Sequence, residues 1–202
     1  MDLDYFSHTL PIILPLFFLY TEIHYRFPFI FSRYFKKEPE ILADIPHRIG
    51  PNKKIPIMLL IKDADKYPIE LFNINITIQQ NGEILFNKNY NFDLLINQYW
   101  WSKIIHVKRE KIKGHVLIDV QFNYKVKEST KTILNHNLKL LKPIPFKVYL
   151  SNTNLPGNDL VQYGDIHYHS NLTDDMVEYG APLEPTLEAC SALELDFICN
   201  TD

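Results

Sequence analysis

From about Pro46 to Leu150, apolar and polar residues alternate with a period of two, the spacing that sends every second side chain of a strand to the same face. Residues 55–61 form a short apolar run, and Phe72, Ile74, Ile76 and Ile78 alternate with Asn73, Asn75 and Thr77. Asn81-Gly82 follows, after which Ile84, Phe86 and Lys88 resume the alternation. A two-residue hairpin turn needs positive φ, which Asn-Gly adopts at little cost, so the pattern predicts a β-hairpin here. Residues 99–108 and 115–126 read as two more strands joined by the charged turn 108–114, and 137–150 as a last strand interrupted at Pro143 and Pro145. Strands at this spacing predict an antiparallel, immunoglobulin-like β-sandwich over residues 46–150.

The segments on either side follow other rules. Residues 1–45 contain an apolar run at 10–20, then Glu22, His24 and Arg26, then a second run at 27–31. Neither run reaches the ~20 residues that cross a bilayer. Asp2 and Asp4 do not make the positive start of a signal peptide, and Pro11 and Pro15 oppose a helix interior. Two readings stay open: an irregular segment packed on the next domain, or a membrane-surface contact in which Tyr20, Tyr25, Tyr34, Arg33, Lys36 and Lys37 flank the apolar runs. Residues 151–164, with Asn152, Asn154, Pro156, Gly157, Asn158 and Gly164, have the composition of a linker. Beyond it, 165–169 is strand-like. Residues 183–194 carry Leu183, Leu187, Cys190 and Leu193 at helical spacing, with Pro185 in the first turn, and 197–199 is apolar again. Strand, helix, strand predicts a βαβ unit with parallel strands and an exposed last edge.

Composition narrows the function classes. Lys+Arg 21 against Asp+Glu 24 leaves a net charge of -3, without the basic footprint of a nucleic-acid binder, so no nucleic-acid partner is expected. Two cysteines, Cys190 and Cys199, build neither a disulfide framework nor a four-thiolate zinc site, and a reducing cytoplasm is the expected compartment. The run Lys108-Arg109-Glu110-Lys111 with Lys113 reads as a solvated turn rather than a phosphate patch, and Trp100-Trp101 as one core-facing and one outward-facing ring rather than a sugar-stacking platform. The cysteines read as small core residues, and His47, His106, His115 and His136 lack ligand spacing.

The densest polar constellation is Asp165-Ile166-His167-Tyr168-His169-Ser170-Asn171-Leu172-Thr173-Asp174. Residues two apart on a strand share a face, so His167 and His169 present neighbouring imidazoles while Tyr168 points away. Asp174 follows just past the strand, where its carboxylate can fold back toward the same metal. Imidazole with carboxylate suits zinc, manganese or iron, and Asp165 is placed to orient an imidazole from behind. Exposed strand histidines without a ligand role are also common.

This string, with Leu187-Glu188-Ala189 in the helix and Leu195-Asp196-Phe197-Ile198-Cys199-Asn200-Thr201-Asp202 after it, resembles the opening of a polymerase and histidinol phosphatase (PHP) domain. That family opens with Asp-Leu-His-x-His-Ser, has an Asp a few residues on, and ends its second strand in Thr-Asp-His. The resemblance covers residues 165–202 and implies an incomplete PHP-type β/α barrel, represented by its first βαβ unit. It implies His167, His169 and Asp174 as metal ligands, Asp202 as a supporting group, and two or three divalent ions in a complete centre that hydrolyses a phosphoester. Asp175 stands where the family usually has glycine, and a barrel of this kind takes about 200 residues or more. The expectation is therefore an α+β protein: an apolar segment 1–45, the sandwich, the linker 151–164, and the start of a metal-dependent phosphoesterase that is inactive by itself. The rival is a non-catalytic sandwich that binds a partner, with a vestigial PHP segment.

Overall fold

The computed structural model describes residues 37–109, 112–138, 141–156, 160–173 and 180–202. The reading of the apolar runs in residues 1–36 thus lies outside the described residues, as do Asp174, Asp175, Glu110 and Lys111. Among the described residues, no helix is long and apolar enough to cross a membrane.

The protein is α+β and dominated by strands: β1 Glu40–Asp44, β2 Arg48–Ile49, β3 Ile55–Lys62, β4 Ile69–Gln80, β5 Glu83–Ile96, β6 Trp100–Val107, β7 Gly114–Val126, β8 Ser129–Leu134, β9 Phe146–Leu150, β10 Gly164–Tyr168, helix α1 Leu183–Leu193 and β11 Phe197–Asn200. A three-stranded sheet has the order β1-β3-β6, and a six-stranded sheet runs β2-β9-β7-β4-β5 with β8 also on β7. Both sheets feed one buried cluster, including Ile41, Ile57 and Leu59 from the smaller and Leu71, Ile76, Val120 and Phe122 from the larger. Burying such aliphatic side chains is the main stabilising contribution, about 1.5–3 kcal/mol each against full exposure.

The Asn81-Gly82 turn is as expected, with φ of 53° and 84° between β4 and β5. The alternation in β4 differs. A β-bulge between Leu71 and Asn73 shifts the phase, so Ile69 and Leu71 are buried before it and Ile74, Ile76 and Ile78 after it, while Phe72 is only half-buried. The strand order also begins earlier than residue 46. Residues 40–44 pair antiparallel with β3 from Glu40↔Lys62 to Asp44↔Met58, and Ile41, Ala43 and Ile45 enter the core. The expected strand over 137–150 is confined to Phe146–Leu150, and 129–134 forms a strand that the pattern did not announce. Its turn uses Lys127 at φ 53°, a residue that gives no turn signal of its own.

Strand β7 organises the larger sheet. One edge pairs with β4, and the other is shared, Gly114–Ile118 with β9 and Gln121–Val126 with β8. Buried Asn135 fills the gap between them: its Oδ1 accepts the Val120 N–H at 2.7 Å, and its own N–H donates to the Val120 carbonyl at 2.7 Å. Nearby, fully buried Tyr124 donates its hydroxyl to Glu38 Oε2 at 2.9 Å, and Lys131 Nζ pairs with the same oxygen at 2.7 Å. Burial, and then the Glu38 charge, push the Tyr124 phenol well above its usual range. Trp101 packs on the core and meets Phe92 edge-on at 6.0 Å, while Trp100 stacks edge-on against Tyr99 with Lys62 above it at 5.5 Å.

Helix α1 joins the sheets through a different face from the one its leucines suggest. Pro185 and Ala192 are buried, whereas Leu183 and Leu187 are exposed. Ala192 enters the common core, the Ala192 carbonyl accepts the Gly50 N–H at 2.8 Å, and Arg48 pairs with Glu194 at 2.5 Å. The helix ends where Glu194 takes a left-handed φ of 64° and Leu195 N–H donates to the Cys190 carbonyl at 3.0 Å. Gly50 lies so close under Glu194 that an added Cβ would stand 2.6 Å from its side chain.

Candidate metal site on the parallel strand pair

Strands β10 and β11 pair in parallel, Gly164↔Phe197 and Asp165↔Ile198, with an irregularity before Tyr168↔Asn200. Their exposed faces include Ile166 at 75% and Phe197 at 39%. Cys190 is half-buried, and Cys199 is exposed rather than in the core. Desolvation, and then the Asp165 charge, raise the Cys190 thiol above its usual value.

Chain direction puts His167, His169 and Ser170 at the C-terminal end of β10 and Asp202 just past that of β11, while Asp165 stands near the start of β10. His167 lies within β10 and His169 one residue past it, so the two imidazoles share a side as their spacing predicts. His167 Nε2 and His169 Nε2 stand 3.1 Å apart, with ring centroids at 5.0 Å and planes tilted by 55°. Two nitrogens on one tetrahedral zinc at ~2.05 Å are separated by about 3.3 Å, so this spacing fits one edge of an ion's coordination shell. Tyr168 points the other way: its hydroxyl donates to the Ala181 carbonyl at 2.5 Å and lies 2.6 Å from Thr186 Oγ1, locking the strand to the start of α1. Burial raises its phenol above the usual value.

The carboxylates act on the backbone. Asp165 Oδ1 accepts the His167 N–H at 3.0 Å, so the structure shows it fixing the main chain at His167 where the sequence suggested a ring contact. Asp202 accepts the Ser170 N–H at 2.6 Å through Oδ1, and its Oδ2 accepts the Ser170 hydroxyl and the Asn200 amide, the latter at 2.9 Å. Desolvation pushes the Asp202 carboxyl up, but the Ser170 hydroxyl and N–H, Asn200 and the nearby His169 outweigh it and hold the group below its ordinary value. It is thus ionised at neutral pH.

Ser170 is a residue that the sequence reading quoted without giving it a role. It is fully buried, and its hydroxyl both donates to Asp202 and accepts the Leu172 N–H at 3.0 Å. The Gly180 N–H donates to the Ser170 carbonyl at 3.1 Å, and a Cβ on Gly180 would lie 1.7 Å from the His169 carbonyl oxygen. Only glycine allows this close return of the chain. The signal was a serine directly after the second histidine together with an aspartate at the end of the next strand. Among the described residues, no group of three or more His, Cys, Asp or Glu side chains gathers as a metal shell, and Asp174 lies outside them.

Neither a protein-family model nor a curated protein matches the chain. Among solved structures, one described as a crystal structure of a protein from Archaeoglobus fulgidus aligns with 50% of this chain and 97% of its own length, at 13% identity and a TM-score of 0.31. A likeness at that level leaves both fold and site to be argued from this chain's own residues.

Proposed function

We propose that residues 165–202 form the opening βαβ unit of a PHP-type metal centre, carried behind an immunoglobulin-like β-sandwich, and that the activity this centre serves is metal-dependent hydrolysis of a phosphoester. The observation that carries the reading is the 3.1 Å approach of His167 Nε2 and His169 Nε2 at the C-terminal end of a parallel strand, beside Asp202 at the end of its neighbour. Active sites of β/α barrels gather at that end.

His167 and His169 hold a divalent ion, zinc, manganese or iron, through their Nε2 atoms, and Asp174 is the third ligand by its place in the sequence. Such an ion, when bound, supplies hydroxide near neutral pH by lowering the pKa of its water. Asp202 and Asp165 position the backbone on which the imidazoles stand, the first through Ser170 and the second through the His167 N–H. Two or three ions in a complete centre need more ligands than these residues supply, so residues 165–202 by themselves would hold one ion. The free thiols Cys190 and Cys199 fit a reducing, cytoplasmic setting.

Zinc and manganese titrations of the purified chain, read by calorimetry, test this. One ion per chain is expected, with His167→Ala or His169→Ala weakening zinc about tenfold or more and the double variant removing it. Unchanged zinc affinity in the double variant sinks the assignment of the ligands. Tight binding of several ions with hydrolysis of a generic phosphodiester would refute the incomplete centre.

A further inference from the structure

We infer that the cleft lined by Asn52, Lys53, Lys54, Lys108, Arg109 and Asn152 is a binding site for the phosphate group of a small soluble molecule. The cleft has a volume of about 390 Å³, within the range of ~300–1,000 Å³ found for small-ligand sites. It forms where the turn after β2, the segment after β6 and the segment after β9 meet, away from the sequence segment that carries the histidine pair.

Its electrostatics are unusual for a chain with a net charge of -3. Among the described residues, four cations line the cleft and no carboxylate does. None of the four is in an ion pair with a described carboxylate. Strand register brings two of them together. Strands β3 and β6 are antiparallel with Ile55↔Val107 as their last pair, so the next positions on the two strands are Lys54 and Lys108. Like charges opposite each other across a strand pair are destabilising, and an anion between them reverses the sign of that interaction.

Arg109 gives the cleft a fixed donor. Its Nη1 donates to the Gly50 carbonyl at 3.1 Å and the Ser151 carbonyl at 2.8 Å, and its Nη2 to Asn152 Oδ1 at 2.9 Å. All three acceptors are neutral, so the guanidinium is held in place with its charge uncompensated by any described side chain. A guanidinium has five N–H donors, and those on Nε and the second on Nη2 make no bond to a described residue. A planar donor fork anchored by neutral carbonyls, with ammonium groups beside it, suits a phosphate dianion, which takes charge-assisted bonds from both. Lys53 is steadied at the rim by a 3.4 Å hydrogen bond to Ser191 Oγ on α1.

The probe is inorganic pyrophosphate, titrated calorimetrically into the full chain at about 50 mM and about 200 mM salt, since exposed charge interactions weaken with ionic strength. One pyrophosphate per chain is expected, bound more weakly at the higher salt. Lys54→Gln with Lys108→Gln should lower affinity about tenfold or more, because each loses a charge-assisted bond. Both lysines are exposed, so the unfolding midpoint should not fall, and the single variants give a second reading at about threefold each. Arg109 is left intact because it ties three segments together. His167→Ala should leave binding unchanged, which separates this site from the metal centre. Affinity within twofold of the parent in the double lysine variant overturns the assignment. So does displacement of pyrophosphate by duplex DNA or by phosphatidylserine vesicles at lower phosphate concentration, which would assign the cleft to a macromolecular anion instead.

Discussion

Phe122→Ala is expected to lower the free energy of unfolding by about 3–5 kcal/mol, the cost of removing an aromatic side chain from a packed interior that does not close around the void. Phe122 is fully buried at the middle of β7, facing Ile74 on β4 and Ile133 on β8 across the larger sheet. Small domains have about 5–15 kcal/mol in total, so this substitution removes a large part of the stability. Urea unfolding followed by far-ultraviolet circular dichroism gives the value directly. Phe86→Ala on β5 serves as the comparison, since Phe86 is only half-buried against the same core and should cost clearly less. A loss below about 1 kcal/mol for Phe122→Ala would show that the two sheets do not enclose this residue.

The second large effect is expected at Asn135, where Asn135→Ala should cost about 2–4 kcal/mol although it removes only a small polar side chain. Its amide oxygen accepts the Val120 N–H, and its Nδ2 donates to the Ile144 carbonyl at 2.8 Å and Asp119 Oδ1 at 3.1 Å. Its own carbonyl accepts the Ala43 N–H at 2.8 Å, which ties the larger sheet to β1 of the smaller one. Alanine would leave the buried Val120 N–H without its side-chain partner, at about 1–3 kcal/mol, and would sit at a φ of 61°, which disfavours a Cβ. Asn135→Gly separates the two causes: it relieves the conformation without restoring the bonds, so it should recover about 1 kcal/mol relative to alanine. Equal stability of the asparagine and alanine forms would remove the amide as the plug in the sheet.

The sequence revealed features whose cause is local and missed those whose cause is tertiary. Asn81-Gly82, the alternation in β7 and the spacing of His167 and His169 express backbone rules within a few residues, and each is found where it was expected. The phase of β4 at Phe72 is not legible because a bulge reverses the alternation without leaving a residue-type signal. Strand β1 is not distinguishable from the apolar segment before it, because an apolar stretch does not say which sheet it will join. Helix α1 carries a leucine stripe, yet its buried positions are Pro185 and Ala192, and the Ala192 carbonyl accepts the N–H of Gly50, just past β2. At the candidate site the imidazoles were evident from their spacing, while Ser170 and Gly180 matter through backbone approach, which composition does not express.

Strand β2 carries a kinetic consequence. It is two residues long, and its parallel register Arg48↔Tyr149 and Ile49↔Leu150 joins distant parts of the chain. The adjoining His47 and Lys147, 100 positions apart, also meet. Contacts of such separation lose loop-closure entropy before they return any energy, so this seam zips after the hairpins β4–β5 and β7–β8. Helix α1 rests on the seam through Gly50 and Arg48, and with it the strands that hold the imidazoles. The histidine-bearing unit is thus mounted on a seam expected to assemble after the hairpins and to open before them. Native-state hydrogen exchange should show the Tyr149 and Ser151 amides exchanging faster than those of Ile76 and Val120, and equal protection of all four would mean that the molecule opens only as a whole.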